Sequence, residues 1–385
     1  MKVQPFQIHI DDHVLADLQL RLQRSRRPSV VAKADWDFGT DPAYLCGLID
    51  YWRTGFDWRK QEAKLNALPQ FKAPVDGVDL HFEHIKGSGA RPMPLLLLHG
   101  WPDSIYRFHK VVPTFADPAS HGGDSSDSFD VVVPSLPGFP LTGPIRRRAH
   151  QPTRQSAELI WRLMTEILGY KTFAVAGGDG GSMLAQIMAI DHPESIIGIH
   201  LTDLGWHVAN TDASTLSKVE QKYLENSKKH FMTDGAYAMV HSTRPRSLAA
   251  GLNDSPAGLA SWIVDRFHSW SDANGDIERS FSKDDLLTNI TLYWATQSIA
   301  SSIFSYYADA QSPSLKPTDR VERPVGLALF PKDIGGIPPR EFAERTLNVQ
   351  RWTETPRGSH FAALEEPDLY STDVVEFFRS FRAAP

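Results

Sequence analysis

The sequence predicts a doubly wound α/β protein with a mostly parallel central sheet, on three observations. Short runs rich in Val, Ile and Leu recur from residue 78 onward, as in "PLLLLHG" and "FDVVVPS". Runs of that length suit strands covered on both faces. Helical patterns alternate with them, the arrangement that layers helices on a parallel sheet. Between about 206 and 318 the strand signal stops, and it resumes at 325. An insertion at that point sits over the carboxyl ends of the strands, where α/β sheets bind ligands.

Taken in order, residues 1 to about 75 read as short helices and irregular segments. "DDHVLADLQLRLQ" spaces Val14, Leu15, Leu18 and Leu20 along a helix, with Asp11 or Asp12 as its cap. "YLCGLIDYWRTGFDWRKQEAKLN" reads as a helix broken at Gly55 and a second from Trp58, with Tyr51, Trp52, Phe56 and Trp58 as packing anchors. "GVDLHFEHIKG" alternates as a strand. "RPMPLLLLHGWP", "FDVVVPSLPGFP", "TFAVAGG", "SIIGIHL", "PVGLALF" and "NVQRWTE" follow as further strands. "RQSAELIWRLMTEILG" repeats Ile160, Leu163, Met164, Ile167 and Leu168 on one helical face. The chain then divides into an N-terminal segment (1–77), a first half of the core (78–205), a helical cap (206–318) and a second half of the core (319–385).

Composition narrows the class. The 385 residues are enough to bury a core, and 41% hydrophobic with 22% charged residues is ordinary for a globular protein. A net charge of −6 argues against a nucleic-acid partner. The basic stretch Arg21 to Arg27 reads as a solvated helix end, and Arg146, Arg147 and Arg148 as a surface loop. Cys46 is the only cysteine, so no internal disulfide forms, as suits a reducing cytosol. The N-terminus lacks a signal-peptide pattern, and no run reaches the roughly 18 apolar residues of a membrane span. A cytoplasmic, soluble protein is expected; a homo-oligomer is compatible with the sequence without being specified by it.

The chemistry centres on "TFAVAGGDGGSMLAQ", where an apolar strand runs into Gly177, Gly178, Asp179, Gly180 and Gly181. A dinucleotide fingerprint counted from Gly178 fails at Met183, and a phosphate loop would need a lysine that is absent. What fits is a nucleophile elbow, a strained strand-to-helix turn that lifts one side chain clear of the sheet. Glycines let the backbone pass close to itself there. Asp179 then stands at a helix N-terminus, which favours its anion; taken alone, the motif is also compatible with an ordinary Asp cap. A carboxylate is ionised at neutral pH and needs no base to attack. Attack on an ester or amide would give an anhydride, whereas attack on a saturated carbon gives an ester that water can later split.

Three further features fall in the right order. "PRGSHFAALEEP" offers His360 as a base for water, and "LALFPKDIGG" offers Asp333 to orient it, with Asp203 in "HLTDLGW" as the competing acid. The order nucleophile, acid, histidine is that of α/β-hydrolases. "LLLLHGWPDS" places a loop after a strand where the N–H of Trp101, with that of Gly180, would hold an oxyanion.

With these residues assembled, the chain resembles the epoxide hydrolases of the microsomal type, within the α/β-hydrolase superfamily, over nearly its whole length. "YWRTGFDWRKQEAKLNALPQFKAPVDGVDLHFEHIKG" is similar to their N-terminal region, "LLLLHGWPDSIYRFHKVVP", "SLPGFP", "GGDGGS" and "GSHFAALEEP" to their core motifs, and "GLNDSPAGLASWIVDRF" and "LYWATQSIASSIFSYY" to their cap. The resemblance implies an α/β-hydrolase fold with a helical cap and an N-terminal meander. It also implies two cap tyrosines that bind the epoxide oxygen: Tyr237 in "DGAYAMVHSTRP", and Tyr306 in "SIFSYYADA" with Tyr307 as the adjacent alternative. Gly180 departs from the bulkier residue often found there, and the N-terminal membrane anchor of mammalian members has no counterpart in this sequence. The expected reaction is attack of Asp179 on an epoxide carbon, protonation by the tyrosines, and hydrolysis of the ester by His360-activated water to a vicinal diol. The partners are a small-molecule epoxide and water, with no cofactor and no metal. A haloalkane dehalogenase uses the same nucleophile and is the alternative, but typically carries a halide-binding Trp where Gly180 stands. A non-catalytic scaffold would usually lose a triad member.

Overall fold

The structure of the protein is a computed structural model that describes residues 2–27, 35–144 and 152–382. The arginine run at 146–148 lies outside the described residues. Among the described residues nine strands form one sheet: β1 (Gln4–Phe6), β2 (Gln70–Val75), β3 (Val78–Ile85), β4 (Met93–Leu98), β5 (Phe129–Pro134), β6 (Phe173–Gly177), β7 (Ile196–Leu201), β8 (Val321–Leu329) and β9 (Leu347–Glu354). Their order is β1-β2-β3-β5-β4-β6-β7-β8-β9. The pairings of β1 through β5 by way of β3 are antiparallel, and every pairing from β5 and β4 through to β9 is parallel. The fold is that of an α/β hydrolase.

The central strands show why continuous apolar runs were needed. Leu96, Leu98, Val132 and Val175 pack into one hydrophobic cluster, while Leu95, Leu97, Val131, Val133, Ala174 and Ala176 pack into another. Alternate residues leave a strand on opposite faces, so both faces of the sheet are covered and neither tolerates a polar side chain. Burying each Val or Leu of this kind contributes roughly 1.5–3 kcal/mol.

Three elements differ from the sequence expectation. β1 and β2 lie within the first 75 residues, where helices and irregular segments were expected. β2 carries Pro74, which demotes a run as a strand, yet Val75 pairs with Val78 across a two-residue turn. In that turn Asp76 and Gly77 take φ of 45° and 80°, and Asp-Gly is a strong hairpin signal. The helix Pro152–Arg162 continues as a π-turn over Leu163–Ile167. The extra residue per turn shifts the face, so Ile160, Leu163 and Met164 are buried while Ile167 and Leu168 are only partly so.

All elements between β7 and β8 are helical or 3₁₀. The helices Pro42–Thr54 and Trp58–Leu65 tie the N-terminal region to this layer: the Tyr51 hydroxyl and the Gln61 amide both donate to Asp284, at 2.8 and 2.9 Å. Trp52 and Trp58 are buried in the core. Among the described residues no helix is long and apolar enough to cross a membrane.

Strand order reverses between β4 and β6, which are neighbours although β5 intervenes in sequence. Open α/β sheets bind ligands at such a switch point. The loop after β4 carries Trp101 and the turn after β6 carries Asp179, so the topology itself brings these two residues to one crevice.

Candidate active site

β6 ends at Gly177, and the helix Gly180–Asp191 starts three residues later. Between them Asp179 adopts φ 57° and ψ −127°, a region that costs a non-glycine residue about 1–3 kcal/mol. The neighbouring glycines are required by space. A Cβ on Gly181 would meet the Leu98 carbonyl oxygen at 2.0 Å, one on Gly177 the Gly181 carbonyl carbon at 2.6 Å, and one on Gly178 the Arg107 guanidinium at 2.6 Å. Gly100 is constrained from the other side, since its Cβ would fall 2.1 Å from Asp179 Oδ1. Gly180 differs: its nearest obstacle is the Gly100 Cα at 3.7 Å.

The two oxygens of Asp179 have different surroundings. Oδ1 accepts from the Trp101 N–H at 2.9 Å and from the Gly180 N–H at 2.6 Å. Oδ2 lies 3.4 Å from His360 Nε2, as an ion pair without an aligned hydrogen bond. Burial raises the Asp179 pKa, but His360 and the two N–H donors outweigh it and hold the carboxyl below the usual range. The other imidazole nitrogen, Nδ1, is 2.9 Å from Asp333 Oδ1, which also accepts from the Ile334 N–H at 2.6 Å. Burial disfavours the imidazolium, yet the charges of Asp333 and Asp179 prevail and push His360 up to about 10. Asp203 is elsewhere: its Oδ2 accepts from the Asp179 N–H at 2.7 Å.

Several supporting residues carry no motif. Arg107, 2% exposed, is ion-paired with Asp103 and donates to the His360 carbonyl oxygen at 2.6 Å. The only sequence signal was the i,i+4 spacing of Asp103 and Arg107. The helix Lys283–Thr296 clamps the loop that offers the Trp101 N–H: the Asn289 amide donates to the Pro102 carbonyl at 2.8 Å, and the Tyr293 hydroxyl to the Asp103 carbonyl at 2.6 Å. The Trp270 carbonyl accepts from the His360 N–H at 3.2 Å, and its ring stands edge-on to the imidazole at 5.1 Å.

The two tyrosines come from the helices Ala236–Thr243 and Phe304–Gln311. The Tyr237 ring stacks on Trp101 at 5.6 Å, and Tyr306 meets both rings edge-on at 6.1 Å. Arg266 lies over the Tyr237 ring at 5.2 Å. For Tyr237, burial and then the Asp179 charge raise the phenol pKa; for Tyr306, burial and then the Tyr237 and Asp179 charges do so. Both therefore stay protonated as donors. His241 closes the aromatic cluster at 4.6 Å from Trp101, and burial pushes it down to about 3. Tyr307 stands apart from this group, its ring meeting Phe304 at 5.9 Å.

A cavity of about 1200 Å³ opens above the turn, walled by Asp179, Gly180, Trp101, Leu136, Phe139 and Tyr306. Tyr307 also borders it, whereas Tyr237 stands outside its wall and meets the hydroxyl of Tyr306. Among the described residues no group of three or more His, Cys, Asp and Glu side chains is arranged to hold a metal ion. An ionised carboxylate, its second oxygen held by no backbone N–H, thus faces a largely apolar cavity (with phenol donors close by).

Comparison with known proteins is consistent along the whole chain. The family described as Epoxide hydrolase N terminus matches residues 3–108, and that described as alpha/beta hydrolase fold matches residues 93–314. The sequence is 33% identical over 404 residues to Epoxide hydrolase 1 of Oryctolagus cuniculus, covering 97% of this chain and 88% of that one. It is 29% identical over 412 residues to Juvenile hormone epoxide hydrolase 1 of Ctenocephalides felis, covering 99% and 87%. The structure is similar to that of Aspergillus niger epoxide hydrolase, with a TM-score of 0.85 and 30% identity over 99% of this chain and 97% of that one.

Proposed function

The chain belongs to the epoxide hydrolases of the α/β-hydrolase superfamily, and from that premise we propose that it converts epoxides to vicinal diols through a covalent ester on Asp179. The observation that carries this reading is the asymmetry of the Asp179 carboxylate, with Oδ1 occupied by two N–H donors and Oδ2 free of any. Oδ2 is then the attacking atom. It bonds to an oxirane carbon from behind, the ring C–O bond breaks, and the leaving oxygen takes a proton from the Tyr306 and Tyr237 pair. Proton donation of this kind typically contributes about 10²–10⁴ in rate.

The ester changes the electrostatics of the site. In the resting enzyme two carboxylates hold His360 protonated. Esterification removes the charge of Asp179, so the imidazole loses one of its two stabilising anions and its pKa falls. The imidazolium then passes its proton to the tyrosinate left by alkylation, so His360 becomes a base only once the nucleophile has been used. Water deprotonated at Nε2 attacks Cγ of Asp179, and negative charge develops on Oδ1, where the N–H groups of Trp101 and Gly180 already point. Collapse breaks the Cγ–Oδ2 bond; the departing alkoxide takes the proton carried in on the attacking hydroxide and leaves as the diol, which restores the carboxylate with the oxygen from water on Asp179 and His360 protonated. On this reading Asp333 orients the imidazole through Nδ1. The same reading divides the chain into the N-terminal segment to 77, a cap over 206–318 and the two halves of the core.

The decisive experiment is intact mass after mixing with an epoxide. His360→Gln accumulates an adduct on Asp179, and Asp179→Asn shows none at early times, before any Asn hydrolyses back to Asp. An adduct on another residue, or halide release in place of diol formation, overturns the assignment.

A further inference from the structure

Asp203 is an acid that the mechanism above does not use, and it is fully engaged. Besides the Asp179 N–H at 2.7 Å, its Oδ2 accepts from the Ser182 hydroxyl at 2.9 Å, and its Oδ1 accepts from the Gly205 N–H at 2.9 Å. Asp179 and Ser182 flank the start of the helix Gly180–Asp191, and Gly205 lies just past β7, so a single carboxylate ties the elbow to the neighbouring strand end. The residue it grips is the one with positive φ at the turn. None of the bonds it makes goes to His360.

Resting on the nucleophile assignment, we infer that Asp203 is a positioning residue: its carboxylate holds the turn that presents Asp179 to the epoxide, and does so only while ionised. Three charged or titratable groups face it most closely, Asp179 after β6, Asp333 after β8 and His360 after β9, with Tyr223 of the helix Lys218–Asp234 farther out. Burial, followed by the charge of Asp333, pushes Asp203 up to about 6. Protonation near that pH removes the charge that strengthens these hydrogen bonds, leaves a weaker acceptor for the Asp179 N–H, and the turn loosens. The consequence falls on alkylation, the step that needs Oδ2 aligned with the breaking C–O bond.

The test is kcat/KM, which reports the steps through alkylation, measured across pH 5 to 8 for the wild type, Asp203→Asn and Asp203→Ala. Asp203→Ala is expected to lose about a hundredfold, the scale of an ångström of misplacement. Asp203→Asn, which keeps one acceptor oxygen, recovers part of that loss and lacks the fall in rate that the wild type shows below about pH 6. Neither variant accumulates an adduct. An unchanged kcat/KM in Asp203→Asn with the acid limb intact overturns the inference. So does adduct accumulation in either variant, which would make Asp203 a partner of the histidine. A purely structural role would lower the melting temperature of both variants and leave the shape of the pH profile as it was. If His360→Gln itself forms no adduct on Asp179, the nucleophile reading falls and this inference with it.

Discussion

The core and the cap build their shares of this site in contrasting ways. On the core side every polar atom of the Asp179 carboxylate has a defined place: Oδ1 between two N–H donors at 2.6 and 2.9 Å, Oδ2 at 3.4 Å from His360, and His360 at 2.9 Å from Asp333. On the cap side Tyr237 and Tyr306 are held by ring contacts at 5.6 to 6.1 Å around Trp101. Hydrogen bonds to charged groups are directional and contribute about 1.5–3 kcal/mol each. Aromatic pairs are worth about 0.5–1.5 kcal/mol and tolerate a range of geometries. On the proposed function, the core half would therefore set what reaction occurs, and the cap half, free to adjust, would govern which epoxide is accommodated.

The sharpest way to break this contrast is to remove the cap's donors and keep its rings. Tyr237→Phe with Tyr306→Phe is expected to lower kcat/KM by about 10³ to 10⁴, with single changes costing about tenfold each and no loss of melting temperature beyond a few degrees. Equal and negligible single effects would contradict the assignment.

Next come the glycines of the core half. Gly181→Ala forces a Cβ onto the Leu98 carbonyl, 2.0 Å away, and over-packing of that kind costs about 1–3 kcal/mol or more. Stability by denaturant titration should drop by that amount and activity by about a hundredfold. Gly180→Ala meets nothing closer than 3.7 Å, so it should fold as the wild type and change kcat/KM by no more than a few fold, in a manner that depends on substrate size.

A smaller effect separates the two chemical steps by pH. In the proposed mechanism ester hydrolysis requires neutral imidazole, and the anion of Asp179 that helps hold His360 at about 10 is absent from the ester. The decay of the adduct should therefore rise by up to about tenfold per pH unit and level off below pH 10. An adduct that decays faster at lower pH would exclude a histidine base.

The smallest expected effect on activity lies away from the site, on β3. Glu83 is 2% exposed with Oε2 unpartnered, and burial raises its pKa to about 8. Between the unfolded value near 4.5 and 8 the folded state keeps a proton that the unfolded chain has released, so stability falls as pH rises through that window, by up to about 1.4 kcal/mol per unit. Glu83→Gln removes this slope, which thermal melts at pH 5 and pH 8 would detect as a gain confined to the higher pH.

Much of this was legible in the sequence. The runs that became β4 to β8 stood out because a strand buried on both faces must be largely apolar, and β3 stood out by its alternation. β2 did not, because Lys72 and Pro74 interrupt it and its pairing with β3 depends on the Asp76–Gly77 turn. Asp179 and its glycines were legible as a local pattern. Arg107 was not, since its meaning lies in the carbonyl of His360, 253 residues away. The competition between Asp333 and Asp203 was likewise undecidable along the chain: both follow strands that run parallel, and only the placement of β8 beside β7 and β9 brings Asp333 to Nδ1.

The sequence by itself determined the chemical repertoire: a carboxylate that needs no base to attack, a histidine far enough along the chain to come from another loop, and phenols that can give a proton. Those properties belong to side chains and travel with them. Only the tertiary structure decided that the two oxygens of Asp179 are unlike, that Asp203 grips the backbone and not the imidazole, and that Tyr306 rather than Tyr237 meets the cavity. These are relations between atoms dozens to hundreds of residues apart, and they arise from the strand order and the packing of cap on core, which no local spacing encodes.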